Sequence, residues 1–205
     1  MNRYTLNNTE SIKLEKVYKA IPTTLAKENR KFQYKNIEKG AKKRDYESAI
    51  DWLKASNLVY QCTLVNKIQP PLKAFEQIDY FKLYLSDVGL LTSLLEISFS
   101  DILLDTEYMF KGTIAENYIA QTFRTNDISL HYWKSNNMAE VDFLLYGEDG
   151  IVPVEVKANN NTKSKRLKMY MEKYNPKYAI RISTKNFGYT NNIKSIPLYA
   201  AFLIK

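Results

Sequence analysis

The stretch Glu140–Lys157, EVDFLLYGEDGIVPVEVK, decides how the rest of the chain is read. Two apolar runs, Val141 to Tyr146 and Ile151 to Val156, flank Gly147-Glu148-Asp149-Gly150. Glycines at both ends of a short acidic segment suit a chain reversal, so the stretch is predicted to form a β-hairpin. Side chains two apart in a strand share a face. Alternation therefore sends Glu140, Asp142 and Leu144 one way and Val141, Phe143 and Leu145 the other. In the second strand Pro153, Glu155 and Lys157 share a face, while Val152, Val154 and Val156 form the apolar row of a strand inside a core. If the hairpin brings its charged faces together, Asp142, Glu155 and Lys157 meet at one end of a sheet.

Two carboxylates and an ammonium beside an apolar core suit metal-assisted phosphodiester hydrolysis. Asp142 and Glu155 offer hard oxygen ligands to Mg²⁺ or Mn²⁺, and Lys157 can orient water or stabilise developing negative charge. Asp142 followed thirteen positions later by Glu155-Val156-Lys157 resembles the D...ExK signature of PD-(D/E)XK nucleases, which have the restriction-endonuclease-like fold. In that family an earlier helix often adds an acid, and Glu116 in KGTIAENYIAQTFR matches that place. The resemblance thus implies Asp142, Glu155 and Lys157 as catalytic residues, and Glu116, Asp142 and Glu155 as metal ligands.

Further segments carry a second resemblance. FKLYLSDVGLL (Phe81–Leu91), FKGTIAENYIAQTF (Phe110–Phe123), YWKSNNMAEVDF (Tyr132–Phe143) and IPLYAAFLI (Ile196–Ile204) look like the family catalogued as domain of unknown function 4143. That domain usually follows an AAA-type P-loop ATPase domain in bacterial and archaeal proteins, which implies an N-terminal ATPase partner. No Gly-x-x-x-x-Gly-Lys-Ser/Thr loop occurs in the sequence, so the chain has no ATP site of the usual P-loop kind. A C-terminal fragment of a longer ATPase protein is the expectation; a member lacking that domain is the alternative.

The 205 residues, 45% hydrophobic and 25% charged, are enough for one large or two small domains with a sizeable core. A lone cysteine, Cys62, cannot form an internal disulfide, which fits a reducing cytoplasm. No signal peptide or membrane-spanning run is readable. A net charge of +8 and a pI near 9.3 favour polyanionic partners, nucleic acid above all, and equally fit a lysine-rich solubilising surface.

Along the chain, Ile12, Leu14, Val17, Tyr18, Ile21 and Leu25 recur at helical spacing, with Pro22 expected to interrupt the helix or start another. Tyr46, Ala49, Ile50 and Leu53 mark one face of a helix from about Arg44 to Ser56. Extended runs follow at Leu58–Val65 and Phe81–Leu85. Helices followed by a two-stranded ribbon is the order of a winged helix. Lys42, Lys43, Arg44 and Lys54 could meet phosphates there, while Asp45, Glu47 and Asp51 oppose that role. Asp87 or Ser86 caps the next helix, and Ser98–Glu107 is expected to be a stiff junction.

The helix from about Thr113 to Arg124 should bury Ile114, Ala115, Tyr118 and Ile119, leaving Glu116 at the margin, either solvated, paired with a lysine or sharing a metal. His131 and Trp133 belong to a strand before the hairpin, the first with its ring satisfied and the second in the core. Glu140 adds a carboxylate beside Asp142 or pairs with Lys134. After the hairpin, Leu167, Tyr170, Met171 and Tyr174 give a helical stripe, and Lys163, Lys165, Arg166 and Lys168 present cations near the hairpin end. Tyr178–Ser183 reads as a buried strand, and Ile196–Ile204 as a strand or short helix.

The expected fold is α/β, a restriction-endonuclease-like mixed sheet flanked by helices over 98–205, preceded by a smaller winged-helix-like α+β domain over 1–97. Two functions fit. One is a cytoplasmic nucleic-acid-binding module of an AAA-type ATPase protein, with a Mg²⁺-dependent endodeoxyribonuclease site. The other is a catalytically inactive accessory or protein-interaction domain regulating the ATPase half, since fold does not carry activity with it.

Overall fold

The computed structural model describes residues 7–27, 30–98, 100, 110–135, 139–158 and 165–205. Helix α1 (Asn8–Leu25) starts where the Asn7 side chain accepts from Glu10 N at 2.8 Å. It buries Leu14, Val17, Ile21 and Leu25. Pro22 does not interrupt it: the loss is confined to the one bond a backbone N–H there would give the carbonyl of Tyr18, and Ala26 N still donates to Pro22 O at 3.0 Å. Helix α2 (Lys43–Ala55) buries the expected Tyr46, Ala49, Ile50 and Leu53. It ends before Asn57, whose φ of +54° suits an asparagine.

Strands β1 (Val59–Val65) and β2 (Glu76–Leu85) pair antiparallel, β2 beginning five residues before the expected Phe81. The last five residues of β2 are all buried, so this half of the strand is covered on both faces. The ribbon joins a larger sheet: Thr63 and Leu64 pair in parallel with His131 and Tyr132 of β3 (His131–Lys134). Next come β4 (Glu140–Gly147), β5 (Gly150–Lys157), β6 (Ala179–Ser183), β7 (Gly188–Thr190) and β8 (Ile193–Pro197). Among the described residues the result is one mixed eight-stranded sheet of order β2-β1-β3-β4-β5-β6-β8-β7, flanked by helices. The expected α/β class with a mixed sheet therefore holds. The sheet runs unbroken across the 97/98 position, and one core takes Val17, Ile50 and Leu83 from one side of it and Ile119, Phe143 and Val154 from the other.

The predicted hairpin is β4–β5, paired from Phe143↔Val154 to Gly147↔Gly150. Gly150, at φ +82°, supplies the left-handed backbone the reversal needs. Alternation does not hold along β4. Its register with β3 slips between His131↔Leu144 and Trp133↔Val141, inserting an extra residue at Asp142–Phe143. Val141 and Leu144, expected on opposite faces, consequently share a core with Trp133, Leu167 and Tyr170, while Phe143 enters the other core.

Helix α3 (Val88–Leu94) is capped by Asp87, which accepts from Leu90 N at 2.9 Å. Helix α4 (Lys111–Thr125) packs Ile119 and Phe123 into the first core, and α5 (Lys165–Tyr174) packs Leu167 and Tyr170 into the second. The buried face of α4 differs from the expected one. Ile114 and Tyr118 are only half-buried, whereas Glu116 and Asn117 are fully enclosed, because β2 offers them polar partners. Strands β7 and β8 precede a 3₁₀ segment, Leu198–Leu203, that occupies most of the Ile196–Ile204 stretch. Most of the expected junction Ser98–Glu107, Asn136 and Asn137, and the loop after Ala158 with Lys163, lie outside the described residues. Among the described residues no helix is long and apolar enough to cross a membrane.

Candidate functional site

Pairing between β4 and β5 stops at Phe143↔Val154, one residue short of Asp142 and Glu155. Where the strands part, the Asp142 side chain takes over the hydrogen bond: its Oδ2 accepts from Val156 N at 2.8 Å. The extra residue in β4 and this bond together aim Asp142 at the end of the sheet. There Asp142, Glu155 and Lys157 line one opening of about 290 Å³, together with Glu140, Lys27, Arg30 and Arg166. The sequence expectation that the hairpin brings its three charged groups to one place is met at this opening. Lys157 Nζ stands 3.2 Å from Glu155 Oε1, and Arg181 Nε of β6 lies 4.0 Å from Oε2. Glu155 is 3% exposed, and both cations offset the cost of burying its carboxylate.

Glu116 is placed elsewhere. It is 1% exposed and meets three donors: Lys82 Nζ at 3.0 Å, the Tyr84 hydroxyl and the Arg30 guanidinium. It does not line the opening, and among the described residues no group of three or more His, Cys, Asp or Glu side chains is arranged to hold a metal ion. Of the three implied ligands, Asp142 and Glu155 share the opening and Glu116 stands behind it. The Glu116 carboxylate faces two cations and a phenol, which compete with any further cation for its oxygens. Asp142 and Glu155 by themselves suit Mg²⁺, which often takes one or two carboxylates and completes its shell with water and substrate phosphate.

Lys82 ties the network together. Fully buried, it lies 3.0 Å from Glu116 and 2.7 Å from Glu140, with its ammonium 5.0 Å from the centre of the Tyr132 ring. Lys134, one of the two alternatives read for Glu140, stands farther off at 3.9 Å. Burial drives the Tyr84 hydroxyl well above its ordinary value, Cys62 and the Asp142 and Glu140 charges adding to the effect and Arg30 opposing it. Burial likewise pushes the Cys62 thiol up, against the pull of Lys82. Both groups stay protonated, Tyr84 as a donor to Glu116 and Cys62 as an inert core residue.

Sequence reasoning passed over Arg30, Lys82 and Tyr84. The signal for two of them was present: in Phe81-Lys82-Leu83-Tyr84-Leu85, Lys82 and Tyr84 share a strand face, and a lysine in so apolar a run requires a buried acid. Arg30 carried no pattern. Arg166, read as one of several cations after the hairpin, reaches the opening. His131 and Trp133 stay outside it as expected, His131 Nε2 meeting Glu76 Oε1 at 2.8 Å and Trp133 Nε1 donating to the Tyr174 hydroxyl at 3.1 Å.

Helix α4 also fastens itself to α1, β2 and the start of α3. Asn117 accepts from Leu85 N at 2.9 Å and donates to Leu85 O at 3.0 Å, replacing a strand neighbour at the edge of the sheet. Gln121 accepts from Val88 N at 3.0 Å, and Thr113 donates to Leu25 O at 3.1 Å. No curated protein and no solved structure matches the chain. Residues 3–101 match the family described as Domain of unknown function (DUF8612). The helix α4, the β4–β5 hairpin and the strands after it fall within residues 111–201, which match the family described as Domain of unknown function (DUF4143).

Proposed function

We propose that this chain is a nucleic-acid-binding module with a PD-(D/E)XK-like site at the β4–β5 end, and that the site cleaves DNA phosphodiester bonds with Mg²⁺ or Mn²⁺. The observation that carries the reading is the shared opening of Asp142, Glu155 and Lys157 where two paired strands part. An antiparallel hairpin whose second strand continues in parallel pairing with β6 is compatible with a restriction-endonuclease-like sheet. Asp142 and Glu155 are the residues that would hold the metal, which when bound supplies Lewis-acid polarisation of a phosphate oxygen and a more acidic water. Lys157, beside Glu155, places a positive charge where negative charge develops on the phosphate. Asp142 also fixes the spacing of the strands through Val156 N.

Helix α2 is a poorer nucleic-acid surface than the opening. Its cations are engaged with acids: Lys43 with Asp79 at 2.9 Å, Lys54 with Asp51 at 3.2 Å and Arg44 with Asp45 at 3.7 Å. This weighs against α2 as the recognition helix of a winged helix. By family likeness the module serves an AAA-type ATPase domain in the cytoplasm. The test is incubation of the purified protein with supercoiled, linear and single-stranded DNA in Mg²⁺ or Mn²⁺. Cleavage that disappears in Asp142→Asn and Lys157→Ala is the expected result; intact DNA in the presence of folded protein overturns the catalytic reading.

A second reading, an inactive accessory domain, is favoured by one contact. If the 3.2 Å approach of Lys157 to Glu155 persists with metal present, the pair stabilises the hairpin and leaves the ATPase half as the regulated partner. Metal-binding calorimetry on the wild type and Asp142→Asn separates the two.

A further inference from the structure

We infer that Arg30, with Lys27 beside it, forms a phosphate-binding subsite on the α1 side of the opening, and that Glu116 acts as the positioning residue for its guanidinium. The inference builds on the phosphodiester reading of the same opening and assigns Glu116 a purpose other than metal ligation.

Three separate features fix Arg30. Its backbone has φ +47°, in the left-handed region that side chains other than glycine and asparagine rarely adopt, and such strain persists only where the surroundings impose it. Its Nη1 pairs with Oε2 of the buried Glu116. Its Nη2 passes Gly112 so closely that a Cβ there would stand 3.2 Å away, so the absent side chain makes room for the guanidinium. The Arg30 side chain is nevertheless 25% exposed and lines the opening that holds Asp142 and Lys157. A guanidinium has five donors in a planar fork, more than the single contact with Glu116 uses, and a phosphate oxygen pair fits that fork. Lys27, whose backbone carbonyl accepts from Arg30 N at 3.2 Å, also lines the opening, and its Nζ donates to Asn36 Oδ1 at 2.5 Å. The subsite thus comes from the segment before residue 101, while the carboxylates come from the segment after 111.

The test uses the full chain in EDTA, with fluorescence anisotropy of a single-stranded DNA oligonucleotide and phosphorus NMR of inorganic phosphate as probes. Arg30→Ala is expected to weaken oligonucleotide binding about tenfold or more and to reduce the slope of log affinity against log salt by about 0.7. Arg30→Lys keeps a cation for both partners and falls between. If Arg30→Ala does not fold, Arg30→Ala/Glu116→Gln removes the ion pair as a unit and reports the same loss. Glu116→Gln alone weakens binding, and adding it to Arg30→Ala weakens binding no further, a coupling that a merely structural glutamate would not show. Unchanged affinity and slope in the Arg30 variants, additive losses, or no binding of either probe by the wild type overturn the subsite. Arg30-dependent binding without DNA cleavage in Mg²⁺ upholds the subsite and overturns the nuclease reading.

Discussion

Replacing Lys82 with methionine tests the buried charge network directly. The ammonium is wholly enclosed, 3.0 Å from Glu116 and 2.7 Å from Glu140, and methionine preserves its length without its charge. Removing one partner of a buried ion pair costs about 3–5 kcal/mol, because the other is left uncompensated in a medium that solvates it poorly. Arg30 still faces Glu116 and Lys134 still stands 3.9 Å from Glu140, so the lower end of that range is expected. For a chain of this size the range corresponds to a fall in Tm of roughly 6 to 20 °C. Urea unfolding followed by circular dichroism measures the loss, and urea avoids adding ions. The loss should persist in high salt, because enclosed charges are little screened. Lys82→Met/Glu116→Gln/Glu140→Gln, which neutralises the acids as well, should regain most of it. A loss in Lys82→Met below about 1 kcal/mol, the scale of a surface pair, would refute the enclosed network.

Asp142→Asn keeps an acceptor for Val156 N, so the protein should unfold within about 1 kcal/mol of wild type while Mg²⁺ or Mn²⁺ binding, read by calorimetry, is lost. Asn117→Ala strips both backbone groups of Leu85 of their partner and should cost about 2–4 kcal/mol in urea unfolding. Burial raises the Cys62, Tyr84 and Tyr132 ionisations above ordinary values of 9.0, 10.0 and 10.0. A group raised on folding lends stability that is complete below its unfolded value and is lost as pH climbs toward its folded one. Stability should therefore be insensitive to these groups below about pH 8 and decline from about pH 9 upward, with Cys62 unreactive to thiol reagents until the protein unfolds. A thiol labelled at the rate of a free cysteine in the folded protein would contradict its burial.

Local pattern determined a good deal of this protein. The helical spacing of Tyr46, Ala49, Ile50 and Leu53 predicts both α2 and its buried face, and Gly147 and Gly150 around two polar residues predict the β4–β5 reversal. These features depend on neighbours within a turn or a hairpin, so a short window contains all the physics. The spacing of Asp142 and Glu155-Val156-Lys157 likewise suffices to put three charged groups at one strand end, since hairpin pairing converts sequence separation into adjacency. Tertiary structure decided what Glu116 does. On α4 alone it is a marginal acid that a metal, a lysine or water could satisfy. Enclosure is imposed by Lys82 and Tyr84, thirty-four and thirty-two positions earlier on β2, and by Arg30. The burial of a charge depends on which opposite charges reach it, and those come from segments that meet only when the sheet has closed around them.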